Sequence, residues 1–288
     1  MRRKWIGFIR NRTLAFVVGG AVVACAALFA GGAAGRSPAP EAPAVTITIL
    51  YDNYAFVPGL ETDWGFACLI QGADKTVLFD TGTDPALFLG NLKALSVDPS
   101  TVDVIFISHD HGDHTGGLAE FLKLNNKVTV WLPSSGSAEL SKARDEQVVA
   151  AGARVVRNKQ PTEVCPGVRS TGELARVAPE QALIIETRDG AVVITGCAHP
   201  GILDILRRVR EVTDREIALV LGGFHLLETP EPELRTIIRA FKEELGVKRV
   251  AATHCTGDGA IAMFKDAYGE AFIPVGAGKV LTLARGSK

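Results

Sequence analysis

The sequence predicts an α/β fold, and three observations carry that expectation. Short apolar runs of strand length alternate with longer helix-like stretches along most of the chain. The 288 residues are 47% hydrophobic, enough to bury a sizeable core. All six histidines follow apolar runs, at points where a strand should end. The ends of strands are where α/β folds carry their ligands.

Taken in order, the chain opens on a basic head of Arg2, Arg3, Lys4, Arg10 and Arg12, followed by an uncharged run from Leu14 to Ala34. Residues 1–35 are therefore expected to form a signal peptide or an N-terminal membrane anchor. The positive charges stay on the cytoplasmic side, so the rest of the chain should be extracytoplasmic, secreted or membrane-anchored. Residues 36–44, with Pro38, Pro40 and Pro43, read as a stiff Pro/Ala linker. Residues 45–288 are expected to be one catalytic domain.

Alternation of Val45, Ile47 and Ile49 with threonines predicts the first strand. Phe66 to Ile70 and Thr76 to Phe79, separated by Gly72-Ala73-Asp74-Lys75, predict a hairpin. Asp80 closes the second of these strands, either as a carboxylate orienting nearby ligands or as a turn residue before Gly82. Val102 to Ile107 is a buried strand, and Gly116 to Leu124 the helix after it. Val128 to Leu132, a helix over Ser137 to Ala151, and Val155-Val156 continue the alternation. Glu163 to Glu173 is less regular. Ala182 to Glu186 and Ala191 to Ile194 flank Arg188-Asp189-Gly190, a hairpin by its turn chemistry. Further strand and helix pairs follow, ending in the strand Lys279 to Leu283.

Between the buried strand and its helix lies Ser108-His109-Asp110-His111-Gly112-Asp113-His114-Thr115-Gly116-Gly117, which holds three of the six histidines. Imidazole and carboxylate at this spacing suit zinc, iron or manganese. His109 and His111, one residue apart in an extended segment, point the same way. Asp113 and His114 lie past the Gly112 bend and can face a second ion. His199, His225 and His254 stand singly, each after an apolar run. The 31 basic and 32 acidic side chains nearly balance, which leaves no electrostatic footprint for nucleic acid. Cys68 fits a strand, whereas Cys197 and Cys255 adjoin histidine motifs and read as small side chains packed beneath them. Spacing alone does not pair Cys68, Cys165, Cys197 and Cys255.

At these residues the chain resembles the metallo-β-lactamase fold superfamily, over about residues 45 to 288. Leu78-Phe79-Asp80-Thr81-Gly82, Gly196-Cys197-Ala198-His199-Pro200-Gly201 and Thr253-His254-Cys255-Thr256-Gly257 carry the likeness together with the histidine cluster. The resemblance implies a four-layer αβ/βα sandwich with a binuclear site at one edge. In it His109, His111 and His199 hold one ion, and Asp113, His114 and His254 the other. The chain departs from the commonest pattern at Gly222-Gly223-Phe224-His225-Leu226, where His225 stands in place of a bridging aspartate. That form, with Trp64-Gly65-Phe66, looks more like the branch containing the dihydropterin ribofuranosylaminobenzene phosphate synthases than like the lactamases.

Two divalent ions, zinc foremost with iron or manganese as alternatives, would activate water near neutral pH, which implies hydrolysis of a small-molecule substrate. Asp113 is expected to combine metal ligation with orientation of the nucleophile. His225 is expected at the metal centre, as a ligand or a substrate-facing catalytic group. Asp80 would support the ligands from behind. The alternatives are a transferase like the dihydropterin synthases and a non-catalytic binding module on the same fold.

Overall fold

Strands that are apolar on both faces need cover on both faces, and the computed structural model, which describes residues 44–134 and 138–285, supplies it with four layers. The expected export segment and nearly all of the linker lie outside the described residues. Among those described, no helix is long and apolar enough to cross a membrane.

The first half holds β1 (Ala44–Tyr51), β2 (Ala67–Gln71), β3 (Val77–Phe79), α1 (Pro85–Ala94), β4 (Val104–Phe106), α2 (Gly112–Thr115), α3 (Leu118–Leu124), β5 (Thr129–Pro133), α4 (Ala138–Ala150) and β6 (Arg154–Asn158). The second holds β7 (Thr162–Cys165), β8 (Val168–Ala175), β9 (Pro179–Thr187), β10 (Gly190–Thr195), α5 (Ile202–Val212), β11 (Ile217–Gly223), α6 (Glu231–Arg239), β12 (Val250–Thr253), α7 (Asp258–Tyr268) and β13 (Val280–Ala284). The sheets run β13-β1-β2-β3-β4-β5-β6 and β12-β11-β10-β9-β8-β7. The last strand thus returns to pair with the first, Ala44 opposite Ala284.

Side-chain alternation sorts the core into three seams. Val104 and Phe106 face inward with Phe79, Val192 and Ile194 to fill the space between the sheets. Their neighbours Ile105 and Ile107 point the other way, onto Phe88 and Leu92 of α1 and Phe121 of α3. On the second sheet Ala191 and Val193 face outward onto Ile205, Ile238 and Phe264 of α5, α6 and α7. This is the αβ/βα sandwich the resemblance implied. Asp84 caps α1 by accepting from the Ala86 and Leu87 amides, with Pro85 in the first turn; such a cap contributes about 1 kcal/mol.

Two local expectations need correction. The stretch from Glu163 to Glu173 is a hairpin of β7 and β8, and the register shift between Ser170 and Glu173 breaks the two-residue alternation that would have revealed it. The helix expected over Gly116 to Leu124 is present as α3 from Leu118, but the histidine cluster before it, expected as a loop bent at Gly112, holds the short helix α2, separated from α3 at Gly116 and Gly117. A Cβ on Gly117 would lie 2.5 Å from the Thr81 carbonyl oxygen, and one on Gly116 would overlap that of Thr83. The break lets the loops after β3 and β4 lock together, with Thr81 N–H donating to His114 O at 2.8 Å and Gly116 N–H to Gly82 O at 2.8 Å.

Candidate metal centre

The loops after β3, β4, β10, β11 and β12 converge on one edge of the sandwich, and they bring all six histidines with them. Four of the five positive-φ residues other than glycine among those described sit here: Asp80, Ala198, His225 and His254. A backbone held in that region costs of order 1–3 kcal/mol, and such strain clusters at functional sites.

Four of the histidine rings are oriented from behind. His114 Nδ1 lies 2.7 Å from Asp80 Oδ2, and Ser108 also donates to Asp80 through both its amide and its hydroxyl. With its proton on Asp80, Ser108 Oγ accepts from His109 Nδ1 at 2.9 Å. His199 Nδ1 lies 3.0 Å from Glu180 Oε2, and Glu180 further accepts the amides of Cys197, Ala198 and His199. His254 Nδ1 donates to Asn53 Oδ1 at 3.0 Å, the Gly65 amide fixing that oxygen as the acceptor. Each ring therefore carries a proton on Nδ1 and points Nε2 inward, where its lone pair would meet an ion. His109 Nε2 is buried with no hydrogen-bond partner.

These lone pairs gather in two neighbouring groups. His109, His111 and His199 form one, and Asp113, His114, Cys197 and His254 the other, with the ligand atoms of each group within 4.8 Å of one another. The groups adjoin, since the His109 and His114 ring centres are 4.1 Å apart. His225 falls in neither: its ring lies 4.5 Å from that of His199, and its nitrogen groups with the sulfurs of Cys197 and Cys255. The side chain is exposed at the site mouth. The carboxylate of Asp80 holds Ser108 and lies against His114. Cys68, Cys165, Cys197 and Cys255 are all free thiols.

Asp80, Asp113 and Glu180 have only histidines as ion-pair partners among the described residues. Three carboxylates at a buried edge with no lysine or arginine call for a cation. The shifts show the same demand. Burial and then Coulomb repulsion from His114 push His109 well below its usual range. Burial also disfavours charge on His114, but Asp80 and Asp113 overcome it and raise the ring to about 10. Asp113 resists burial through its contacts with His114 and His254, which hold its carboxyl well below the ordinary range. Without an ion, a proton on His114 supplies the missing positive charge. The donor set, the orphaned His109 Nε2 and this charge balance all fit divalent metal.

Several supporting residues show nothing of their role in the sequence. Glu180 lies on β9, far from the motif it braces, and Asn53 sits in a loop. Trp64 donates from its indole N–H to Asp113 Oδ2 at 3.0 Å and packs its ring on His254 at 4.8 Å. Arg144 of α4 donates to Asp110 and Thr115, pinning the histidine loop from outside. Beside the centre opens a cavity of about 440 Å³ lined by Arg176, His199, Asp204, Arg207, Phe224 and His225, among others.

A four-layer sandwich with paired histidine clusters at the ends of its strands defines a metallo-hydrolase-like class of fold. The chain belongs to the metallo-beta-lactamase superfamily, which it matches over residues 65–255. It is 30% identical over 283 residues to the 7,8-dihydropterin-6-methyl-4-(beta-D-ribofuranosyl)-aminobenzene-5'-phosphate synthase of Methanocaldococcus jannaschii, covering 82% of this chain and 96% of that one. The crystal structure of Tm1679, a metal-dependent hydrolase of the beta-lactamase superfamily, superposes with a TM-score of 0.67 at 31% identity, over 82% of this chain and 98% of the other. The metallo-beta-lactamase fold protein YhfI from Bacillus subtilis shares the fold, with a TM-score of 0.60 at 16% identity over 83% and 99% of the two chains.

Proposed function

We propose that this chain is an exported metal-dependent hydrolase with a binuclear centre and a small-molecule substrate. His109, His111 and His199 would hold one divalent ion, and Asp113, His114 and His254 the other, with zinc the best match to the donors. The observation that carries this reading is the pair of adjoining clusters, in one of which His109 Nε2 is buried with no hydrogen-bond partner. Two such ions lower the pKa of a water toward neutrality and polarise the bond under attack.

The chain's own residues do the rest. Glu180, Asp80, Ser108 and Asn53 fix the imidazoles before an ion arrives, so little reorganisation is needed on binding. Trp64 orients Asp113. His225 faces the mouth rather than either cluster, and Cys255 raises its pKa by hydrogen bonding, so it is suited to binding substrate or giving a proton to the departing group. His225→Ala should then keep full metal content while turnover falls by about 100-fold or more. Loss of metal in that variant would make it a ligand instead.

The test of the reading is elemental analysis of the purified chain beside turnover of phosphodiester, thioester, lactone and lactam substrates. No bound metal after expression with zinc, iron or manganese supplied would overturn it. Cell fractionation tests export, which rests on the basic head and apolar run of residues 1–35. The 30% identity to the Methanocaldococcus synthase supports a second reading, a transferase joining a pterin to a ribosyl-aryl phosphate. Product formation from that pair, with no hydrolysis across the panel, would favour it.

A further inference from the structure

We propose that Cys197 is a metal ligand, its thiolate completing the set formed by Asp113, His114 and His254. This rests on the metal-centre reading above and adds a residue, and a metal preference, to it. Cys197 Sγ lies 3.2 Å from His114 Nε2 and 3.4 Å from His254 Nε2. Asp113 Oδ2 lies 3.5 Å and 3.4 Å from the same two nitrogens. A tetrahedral zinc site with Zn–N near 2.0–2.1 Å and Zn–S near 2.3 Å has N···S edges of about 3.5 Å and N···O edges of about 3.3 Å. The four measured contacts fall near those edge lengths, as expected of ligand atoms that share one ion.

Hydrogen bonding holds the four groups together in the metal-free fold only through protons that a cation can replace. Both imidazoles spend their Nδ1 protons on Asp80 and Asn53, so a hydrogen bond from either Nε2 to Asp113 or Cys197 needs a second proton on the ring. Asp113 Oδ2 is an acceptor, already served by the Trp64 indole. One cation would take the place of those protons and meet the two Nε2 atoms, the carboxylate and the sulfur at once. On binding, the thiol proton passes to solvent and the sulfur lone pair forms the bond to the ion.

The local backbone explains how Cys197 reaches this position. Glu180 Oε1 accepts its amide at 2.9 Å, and Ala198 turns the chain at φ 65°. Cys197 thereby faces the second cluster while His199, two residues on, faces the first. One carboxylate, Glu180, sets both. Cys255 is the natural comparison: its sulfur groups with Cys197 and His225 but not with His114, His254 or Asp113. A thiolate at this corner favours zinc, cobalt or cadmium over manganese or magnesium.

The full chain stripped of metal and reloaded with cobalt(II) tests the assignment. Two bound ions should give a near-ultraviolet band from thiolate-to-cobalt charge transfer. Cys255→Ser should keep that band, whereas Cys197→Ser should lose it together with one of the two ions. Should Cys197→Ser fail to fold, the parent and Cys255→Ser spectra still decide, because Cys68 and Cys165 lie in the hydrophobic seam between the sheets. Two bound cobalt ions with no charge-transfer band would overturn the thiolate and leave the metal-centre reading intact. A band lost in Cys255→Ser and kept in Cys197→Ser would move the ligand to Cys255. A chain that binds no cobalt defeats both readings at once.

Discussion

Glu180→Ala should cost roughly 3–6 kcal/mol of unfolding free energy, a large part of the 5–15 kcal/mol typical of a domain. The carboxylate is fully buried and accepts the amides of Cys197, Ala198 and His199 at 2.9, 2.8 and 2.9 Å. Alanine leaves three backbone donors unpaired in the interior, each worth about 1–3 kcal/mol, with some relief from relaxation or an entering water. Metal content should fall in the same variant, because His199 Nδ1 loses its 3.0 Å partner and its ring is free to turn. Urea titration of the metal-free proteins separates the two effects. A loss below about 1 kcal/mol there would mean that the loop finds other acceptors, and that Glu180 does not hold it.

Removing metal from the parent should lower its melting temperature by roughly 8–16 °C. A ligand present at about a thousand times its dissociation constant stabilises the native state by about 4 kcal/mol, and each kcal/mol moves a domain of this size by about 2–4 °C. The physical source is the two clusters of lone pairs and carboxylates, which repel one another when no cation separates them. The metal-free fold should also respond to pH. His114 is raised to about 10 in the folded state, so the fold binds that proton more tightly than the unfolded chain does. The associated stability is complete below about 6.5 and declines as pH rises toward about 10. Thermal melts with chelator, then with zinc restored, measure both effects. An unchanged melting temperature after verified metal removal would argue against a native centre at this edge.

The residues at that edge were unequally legible. His109, His111, Asp113 and His114 announce themselves because four donors within six residues leave few alternatives in a chain with six histidines. His199 and His254 follow from their place after apolar runs. Glu180 and Asn53 are invisible in the same way that most supporting residues are: they act through hydrogen bonds across long sequence separations, and nothing local requires them, while Trp64 is marked only by the family resemblance. The β7–β8 hairpin was hidden by its register shift, and the split between α2 and α3 by a backbone approach that only the neighbouring loop imposes.

By itself, then, the sequence determined the α/β class, the order of most strands and helices, and the identity of the histidine and aspartate donors. Those properties follow from periodicity and side-chain chemistry, which act over a few residues. The division of the donors into two groups was implied by the family resemblance, but only the tertiary structure decided that Glu180 braces the third histidine loop. It also decided that His225 stands outside both groups and that Cys197 faces Asp113, His114 and His254. Those properties depend on how five loops from two sheets meet at one edge, and the direction of each loop is set by packing between layers rather than by its own residues.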